Sequence, residues 1–343
     1  MRILVIGGTG FVGRHVVQSL ADASHEIIVF HRGKTKSSLS PHVLVIHGDR
    51  RRLDESAEEF SRLRPEVVID VNPYTGPDAA AVMRAFRDIA KRVVALSSGD
   101  VYRAYERFHR AASEPPDPIP LREDAPLRER FYPYRSAASG PRDMRYHYEK
   151  ILVERAVLGE PRLPGTVLRL PMIHGPGDRQ HRLFPYLKRM DDGRAAILLE
   201  KTQSEWRCTR GYVENVAAAV ATVAADERAA GQIYNVGERD APTETEWVTQ
   251  IGGAGGWAGR VAAVDREFLP PHLAMPVDWR HHLVTDTSRL REQFNFIEPV
   301  SRDEGLRRTI AWERTHAPSH FRPEQFDYQA EDAALALSRL QPG

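Results

Sequence analysis

The chain has 343 residues, with 48 lysines and arginines against 47 acids and a hydrophobic fraction of 41%. This length exceeds the usual single domain of about 100–200 residues, and the balanced charge gives no general attraction to nucleic acid or acidic membranes. The single cysteine, Cys208, excludes an intrachain disulfide, and no cysteine or histidine group has the spacing of a metal site. No apolar run approaches the roughly 18 residues that span a bilayer, and the N-terminus is unlike a signal peptide, so we expect a cytoplasmic protein.

Short apolar strands alternate with helical segments along the first hundred residues. Strands are predicted over 2–6, 26–30, 42–46, 66–70 and 92–97, with helices over 11–20 and 78–92. Strands that are almost wholly apolar are typical of a parallel sheet covered on both faces. The pattern predicts an α/β fold with a Rossmann-type doubly wound parallel sheet.

The alternation breaks over residues 103–145, which contain seven prolines, nine arginines and seven acids. Proline fixes φ and removes a backbone donor, so no long helix or central strand is expected in this insertion. Helix returns at about residue 142, and strands follow at 166–170 and 233–236, with a helix over 213–225. We therefore predict a dinucleotide-binding domain over 1–173 and 209–237, a smaller C-terminal substrate-binding lobe over 174–208 and 238–313, and a peripheral tail over 314–343.

A glycine pattern, GGTGFVG at 7–13, lies between the first strand and the first helix. Glycines at this place permit a tight turn and let a pyrophosphate approach the amides at the positive end of the helix. The pattern predicts a cofactor site at Gly7, Thr9, Gly10, Phe11, Val12 and Gly13.

The end of the second strand reads Phe30-His31-Arg32-Gly33-Lys34, without the carboxylate that holds the ribose hydroxyls of NAD. The planar fork of Arg32 suits a 2′-phosphate. NADP is therefore the predicted cofactor, and NAD stays possible.

Tyr146 and Lys150 stand four residues apart in MRYHYEKILVERAV, residues 144–157. On one continuous helix these two side chains would share a face, whereas Tyr148 would point away. An ammonium beside a phenol lowers the pKa of the phenol and lets it act as an acid or base near neutral pH. We predict Tyr146 and Lys150 as a catalytic pair.

With the glycine pattern, this pair resembles the extended short-chain dehydrogenase/reductases, and the NAD(P)-dependent epimerase/dehydratase family in particular. LSSGDVY at 96–102, LRLPMIHGPGD at 168–178 and TRGYVENVA at 209–217 add to the resemblance. It implies hydride transfer at a hydroxyl or carbonyl centre, by an oxidoreductase or epimerase acting on a sugar or sugar-nucleotide-like substrate. It also implies Ser98 as a catalytic hydroxyl, cofactor contacts at Asp49, Arg50, Asn72, Pro73, Pro171 and Ile173, and substrate contacts at Asp100 and Arg210.

Two departures from the family pattern concern the substrate. Dehydratases of this type carry two acids after the hydroxyl residue, whereas this chain has Gly99-Asp100. The interval from Ser98 to Tyr146 is about double the usual one, so we interpret the insertion as a lid beside the active site. Its nine arginines favour an anionic substrate, although seven acids nearly balance them.

Two further expectations follow from the resemblance. Family members commonly dimerise through the helix that carries the Tyr-x-x-x-Lys motif, so we expect a homodimer. The alternative function is a catalytically silent dinucleotide-binding regulator or RNA-binding protein on the same fold, but nucleic acid is an unexpected partner for a chain without a basic excess.

Overall fold

A computed structural model describes residues 1–34, 39–110 and 114–338. Its strands are β1 (Arg2–Ile6), β2 (Glu26–His31), β3 (Leu44–His47), β4 (Val67–Asp70), β5 (Arg92–Ser98), β6 (Gly165–Leu170), β7 (Met172–His174), β8 (Ala196–Glu200), β9 (Arg210–Tyr212), β10 (Ile233–Asn235) and β11 (Arg260–Val264). Within the described residues, seven of them form one parallel sheet in the order β10-β6-β5-β4-β1-β2-β3. The predicted doubly wound sheet is confirmed, with the third strand starting two residues later than expected.

Helices connect these strands and cover the sheet. They are α1 (Phe11–Asp22), α2 (Ala57–Leu63), α3 (Gly76–Phe86), α4 (Arg103–Arg110), α5 (Met144–His147), α6 (Lys150–Leu158), α7 (Phe184–Asp191), α8 (Lys201–Glu205), α9 (Val213–Ala225), α10 (Glu244–Gly255), α11 (Ser288–Phe294), α12 (Arg302–Thr315) and α13 (Tyr328–Ser338). No helix of the described part is long and apolar enough to cross a membrane.

Two apolar layers hold the helices against the sheet. Alternate strand residues point to opposite faces. Ile3 and Val5 of β1 pack with α1 and α9 on one face, and Leu4 and Ile6 pack with α2, α3 and α6 on the other. The active edge of such a sheet is the edge where its parallel strands end, because the loops that carry functional residues gather there.

A smaller unit beyond residue 174 has its own core. Strands β8 and β11 pair in parallel, and α7, α10 and α12 pack against them through residues such as Leu187, Ile251 and Ile310.

The prediction of a peripheral tail is wrong for α13. Ala334 is buried against Leu198 and Val264, and the buried Glu331 pairs with Arg189 at 2.6 Å. Polar composition hid this contact, since a single apolar stripe and one buried ion pair are enough to fix a helix of this length.

Candidate active site

The glycine turn has the geometry of a phosphate cradle. Gly7 has φ of +87°, and a Cβ on Gly13 would lie 2.3 Å from the carbonyl oxygen of Gly7. Gly10 is the N-cap residue of α1, whose first turn has no side-chain cap. The open helix amides and the close backbone approach fit a dinucleotide pyrophosphate. Thr9, Phe11 and Val12 are half-buried around the turn.

The structure gives different surroundings to three residues predicted to bind the cofactor, namely Arg32, Asp49 and Arg50. Arg32 follows β2 and is exposed, so its guanidinium is available to a ligand. Asp49 accepts a 3.0 Å hydrogen bond from the amide of Arg51 and caps the turn after β3. Arg50 donates two 2.8 Å hydrogen bonds to the buried Asp70. Its principal contact is therefore structural.

Residues 72–74 join the cradle to Lys150. The side-chain amide of Asn72 lies against Gly7, where a Cβ would come within 2.7 Å of its nitrogen. The carbonyl oxygen of Pro73 accepts a 2.9 Å bond from Nζ of Lys150, and the ring of Tyr74 lies 5.5 Å from the same nitrogen. This strand-end segment therefore sets the spacing between cofactor cradle and lysine.

The prediction that Tyr146 and Lys150 share a helical face is wrong. Helix α5 ends at His147, Tyr148 and Glu149 are extended, and α6 begins at Lys150. The break has a local cause, because the Glu149 carboxylate caps α6 at the amide of Ile151.

Glu149 is also held from outside the helix, by Arg128 at 2.6 and 2.9 Å in a fully buried pair. Tyr146 ends up with its ring 4.8 Å from the Arg135 guanidinium, and its hydroxyl makes no hydrogen bond to a described residue.

Tyr148 takes the position that Tyr146 was expected to occupy. Its ring lies 5.7 Å from Nζ of Lys150, and the neighbouring Ser98 hydroxyl acts to lower the pKa of its phenol. The same hydroxyl donates a 2.8 Å bond to Oδ2 of Asp100. Ser98, Tyr148, Lys150 and Asp100 thus meet at the carboxyl end of β5, whereas Tyr146 stays outside the group.

Lys150 is buried and anchored through its ammonium. Nζ donates to the carbonyl oxygens of Pro73 at 2.9 Å and Leu96 at 2.8 Å. Burial lowers the pKa of Lys150 to about 8, since a desolvated ammonium is less stable than the neutral amine.

Asp100 is a buried carboxyl, and its Oδ2 oxygen accepts hydrogen bonds. Burial raises its pKa, against the opposing hydrogen bond from Tyr148 and the charge of Arg128. Burial and the facing Asp100 carboxylate hold the pKa of Tyr148 well above its usual value. Oδ1 of Asp100 has no hydrogen-bond partner among the described residues.

The insertion contributes directly to this group. Tyr134 donates a 2.9 Å bond to the same Oδ2 of Asp100, and its oxygen lies 2.9 Å from the hydroxyl of Tyr105. Sequence reasoning missed both residues, because neither falls in a motif. The insertion therefore lies beside this group, and the buried pair of Arg128 with Glu149 holds it there.

Arg210 was predicted to meet substrate. The structure instead pairs it with Glu244 in a buried ion pair, with the ring of Trp247 at 4.5 Å. Its charge is therefore neutralised inside the smaller lobe.

The two remaining predicted cofactor residues lie after β6. Pro171 is half-buried, and Ile173 is in the core cluster beneath the sheet, with its carbonyl oxygen bonded to Arg182 at 2.9 Å. Ile173 therefore supports the edge through packing. Among residues 1–34, 39–110 and 114–338, no group of three or more metal-ligating side chains is gathered in one place.

Comparisons with known proteins agree with this fold. A model of the NAD dependent epimerase/dehydratase family matches residues 3–237. A 2′-dehydrokanamycin reductase of Streptomyces kanamyceticus is 25% identical over 299 residues, which are 85% of this chain and 74% of that protein. A UDP-N-acetyl-alpha-D-glucosaminuronate decarboxylase of Bacillus cytotoxicus is 25% identical over 339 residues, which are 91% and 98% of the two chains.

Among solved structures, an epimerase of Methanothermobacter thermautotrophicus superposes with a TM-score of 0.67 at 18% identity, over 92% of each chain. At that identity the likeness supports the fold alone. The family match, which covers more than half of the chain, and the two enzyme relatives confirm the predicted NAD(P)-dependent oxidoreductase or epimerase class. The chain belongs to the NAD-dependent epimerase/dehydratase family.

Proposed function

We propose that this protein is an NADP-dependent reductase of a ring or chain carbonyl in a sugar-like molecule. In this proposal Tyr148, and not Tyr146, exchanges the proton with the substrate oxygen, and Ser98 donates a hydrogen bond to that oxygen. The observation that carries it is the meeting of Tyr148, Ser98 and the buried Lys150 at the carboxyl end of β5. A nicotinamide cofactor, when bound, would supply the hydride.

The state of the phenol favours reduction over oxidation. The Asp100 carboxylate accepts the hydroxyl of Tyr148 at 2.8 Å, and together with burial it keeps the pKa of that phenol high. A phenol that stays protonated is a proton donor, and reduction of a carbonyl needs a donor at its oxygen. An epimerase, which removes and returns hydride at one carbon, is the second candidate, because the family includes such enzymes.

The arginines of the insertion support an anionic substrate less than the composition suggests, because at least six of the nine lie beside carboxylates. Arg103 and Arg107 pair with Asp117, and Arg128 pairs with Glu149. Three more are engaged in ion pairs with insertion acids, namely Arg122, Arg130 and Arg145. With Arg210 also paired, we propose a substrate recognised through hydroxyl and ring contacts rather than through a phosphate.

The choice of NADP rests on the exposed Arg32 after β2. A homodimer and a cytoplasmic location complete the proposal, on the sequence arguments alone.

The test is a panel of ketosugars and UDP-sugars with NADPH and NADH, followed at the absorbance of the reduced nicotinamide. Net oxidation of NADPH by a ketosugar, at a higher kcat/KM than with NADH, would support the proposal. Interconversion of two sugars without net cofactor oxidation would make the protein an epimerase. No turnover with either cofactor, despite binding of both, would refute the proposed function.

A further inference from the structure

A row of hydroxyl and carboxyl groups leads from the active site into the insertion. Tyr148 and Tyr134 both donate to Oδ2 of Asp100, at 2.8 and 2.9 Å, and the hydroxyl of Tyr105 lies 2.9 Å from that of Tyr134. Because Tyr134 donates to the carboxylate, its oxygen accepts from Tyr105. Every hydrogen bond in the row therefore points toward Asp100.

The row runs from a buried carboxyl to a half-buried phenol. Asp100 is 4% exposed, whereas Tyr105 is half-buried, and its ring lies 4.4 Å from that of the exposed His109. Lys150, the other group beside Tyr148, already donates to two carbonyl oxygens. The charged groups nearest to Asp100 are Arg128, which donates to its carbonyl oxygen at 3.0 Å, and Lys150.

We propose that Asp100, Tyr134 and Tyr105 form the route by which a proton returns to Tyr148 after Tyr148 has protonated the substrate oxygen. This inference rests on the proposed function. Tyr134 touches neither substrate nor cofactor in this scheme, so it acts through Asp100.

Each reduction uses one hydride and one proton. The carbonyl carbon gains the hydride that a reduced cofactor would supply, the C=O π bond breaks, and the oxygen takes the proton of Tyr148. The proton of Tyr134 then moves to Oδ2 of Asp100, which starts as a carboxylate, and passes from there to the phenolate of Tyr148. Tyr134 receives the proton of Tyr105, and Tyr105 is reprotonated by solvent. One solvent proton is consumed for each hydride transferred.

The raised pKa of Asp100 suits this role, because a buried carboxyl can hold the proton between two transfers. Because Oδ2 of Asp100 accepts from both phenols, it can receive a proton from Tyr134 and pass one to Tyr148. If the insertion served only to cover the site, it would need neither phenol.

The experiment uses the full-length protein with NADPH and the best ketosugar of the panel. Tyr134→Phe and Tyr105→Phe remove one hydroxyl each, and Tyr328→Phe removes the hydroxyl of a phenol–carboxylate pair outside the site. We expect Tyr134→Phe to lower kcat about 10-fold or more with unchanged KM for NADPH. Tyr105→Phe should give a smaller loss of kcat, and Tyr328→Phe should match the wild type.

Isotope effects separate proton supply from a purely structural role. If proton return becomes limiting, the solvent deuterium effect on kcat rises in Tyr134→Phe, and the effect of deuterium at the transferred hydride falls. A loss of kcat with an unchanged solvent effect and a larger hydride effect would mean misplaced groups and would overturn the relay.

Wild-type kcat in Tyr134→Phe would overturn the relay as well. If Tyr134→Phe fails to bind NADPH, the same comparison in Tyr105→Phe decides. An inactive wild type would refute the proposed function instead, which keeps the two failures distinct.

Discussion

Tyr148 donates a 2.8 Å hydrogen bond to the buried carboxylate of Asp100 while its ring faces the ammonium of Lys150. The phenol thus stands between a group that stabilises its neutral form and one that would stabilise its anion. Burial lowers the pKa of Lys150 to about 8, so the lysine loses its charge at alkaline pH. Above that pH it stabilises the phenolate of Tyr148 less than the Asp100 carboxylate stabilises the neutral phenol.

The first prediction compares the two tyrosines before the lysine. Tyr148→Phe should lower kcat about 10²- to 10⁴-fold, the usual contribution of a positioned proton donor. Tyr146→Phe is its matched control and should keep nearly full activity, because its hydroxyl makes no hydrogen bond to a described residue. Steady-state oxidation of NADPH measures both, and a larger loss in Tyr146→Phe would reverse the assignment.

The second prediction concerns the choice of cofactor. Arg32→Ala should raise KM for NADPH about 10-fold and leave KM for NADH unchanged, because a hydrogen bond to a charged group contributes about 1.5–3 kcal/mol. The control is Arg52→Ala, which removes an exposed arginine paired with Glu55. Equal effects on both cofactors would show that Arg32 does not read the 2′-phosphate.

The third prediction follows from the burial of Lys150. Its pKa is about 8 in the folded protein against a model-compound value of 10.5. Between these values the unfolded chain binds more protons, so this group makes stability rise with pH from about 8 to 10.5 and contributes no slope below that range.

The measurement is urea unfolding of the wild type and Lys150→Met at several pH values across this window. Between pH 8 and 10.5, the free energy of unfolding of the wild type should rise relative to that of Lys150→Met by at most about 3 kcal/mol. Parallel curves for the two proteins would contradict a depressed lysine pKa.

The fourth prediction concerns the pair that breaks the helix before Lys150. Glu149→Ala should destabilise the protein by about 3–5 kcal/mol, because it leaves the guanidinium of Arg128 buried without its partner. The double variant Arg128→Met/Glu149→Leu should recover much of this loss. Glu55→Ala breaks an exposed pair and should cost less than about 1 kcal/mol.

Thermal and urea unfolding measure these differences in stability. Activity should stay low in the double variant, since the extended turn that orients Tyr148 is built on Glu149. A double variant with wild-type kcat would show that the turn forms without the pair.

The strands and the cofactor turn could be read from the sequence because both are local. Apolar runs of four to six residues predict buried parallel strands. Gly7 is required by its φ of +87° and Gly13 by the close approach of the Gly7 carbonyl oxygen, so both requirements arise within one turn. Ser98 and Lys150 also came from the sequence, Ser98 through the family resemblance and Lys150 through the Tyr-x-x-x-Lys spacing.

The partner of the lysine was decided by tertiary structure. Spacing selects Tyr146 only if the helix is continuous, and the helix is broken by Glu149, which is held by Arg128 from 21 residues away. The same long-range packing brings Tyr134 to Asp100, 34 residues apart in the chain, and pairs Arg210 with Glu244. The helical period predicts which side chains are neighbours only within one continuous helix. The partner of a buried charge is whichever group the folded chain places beside it. The fold therefore decided that Tyr148, and not Tyr146, lies next to Lys150.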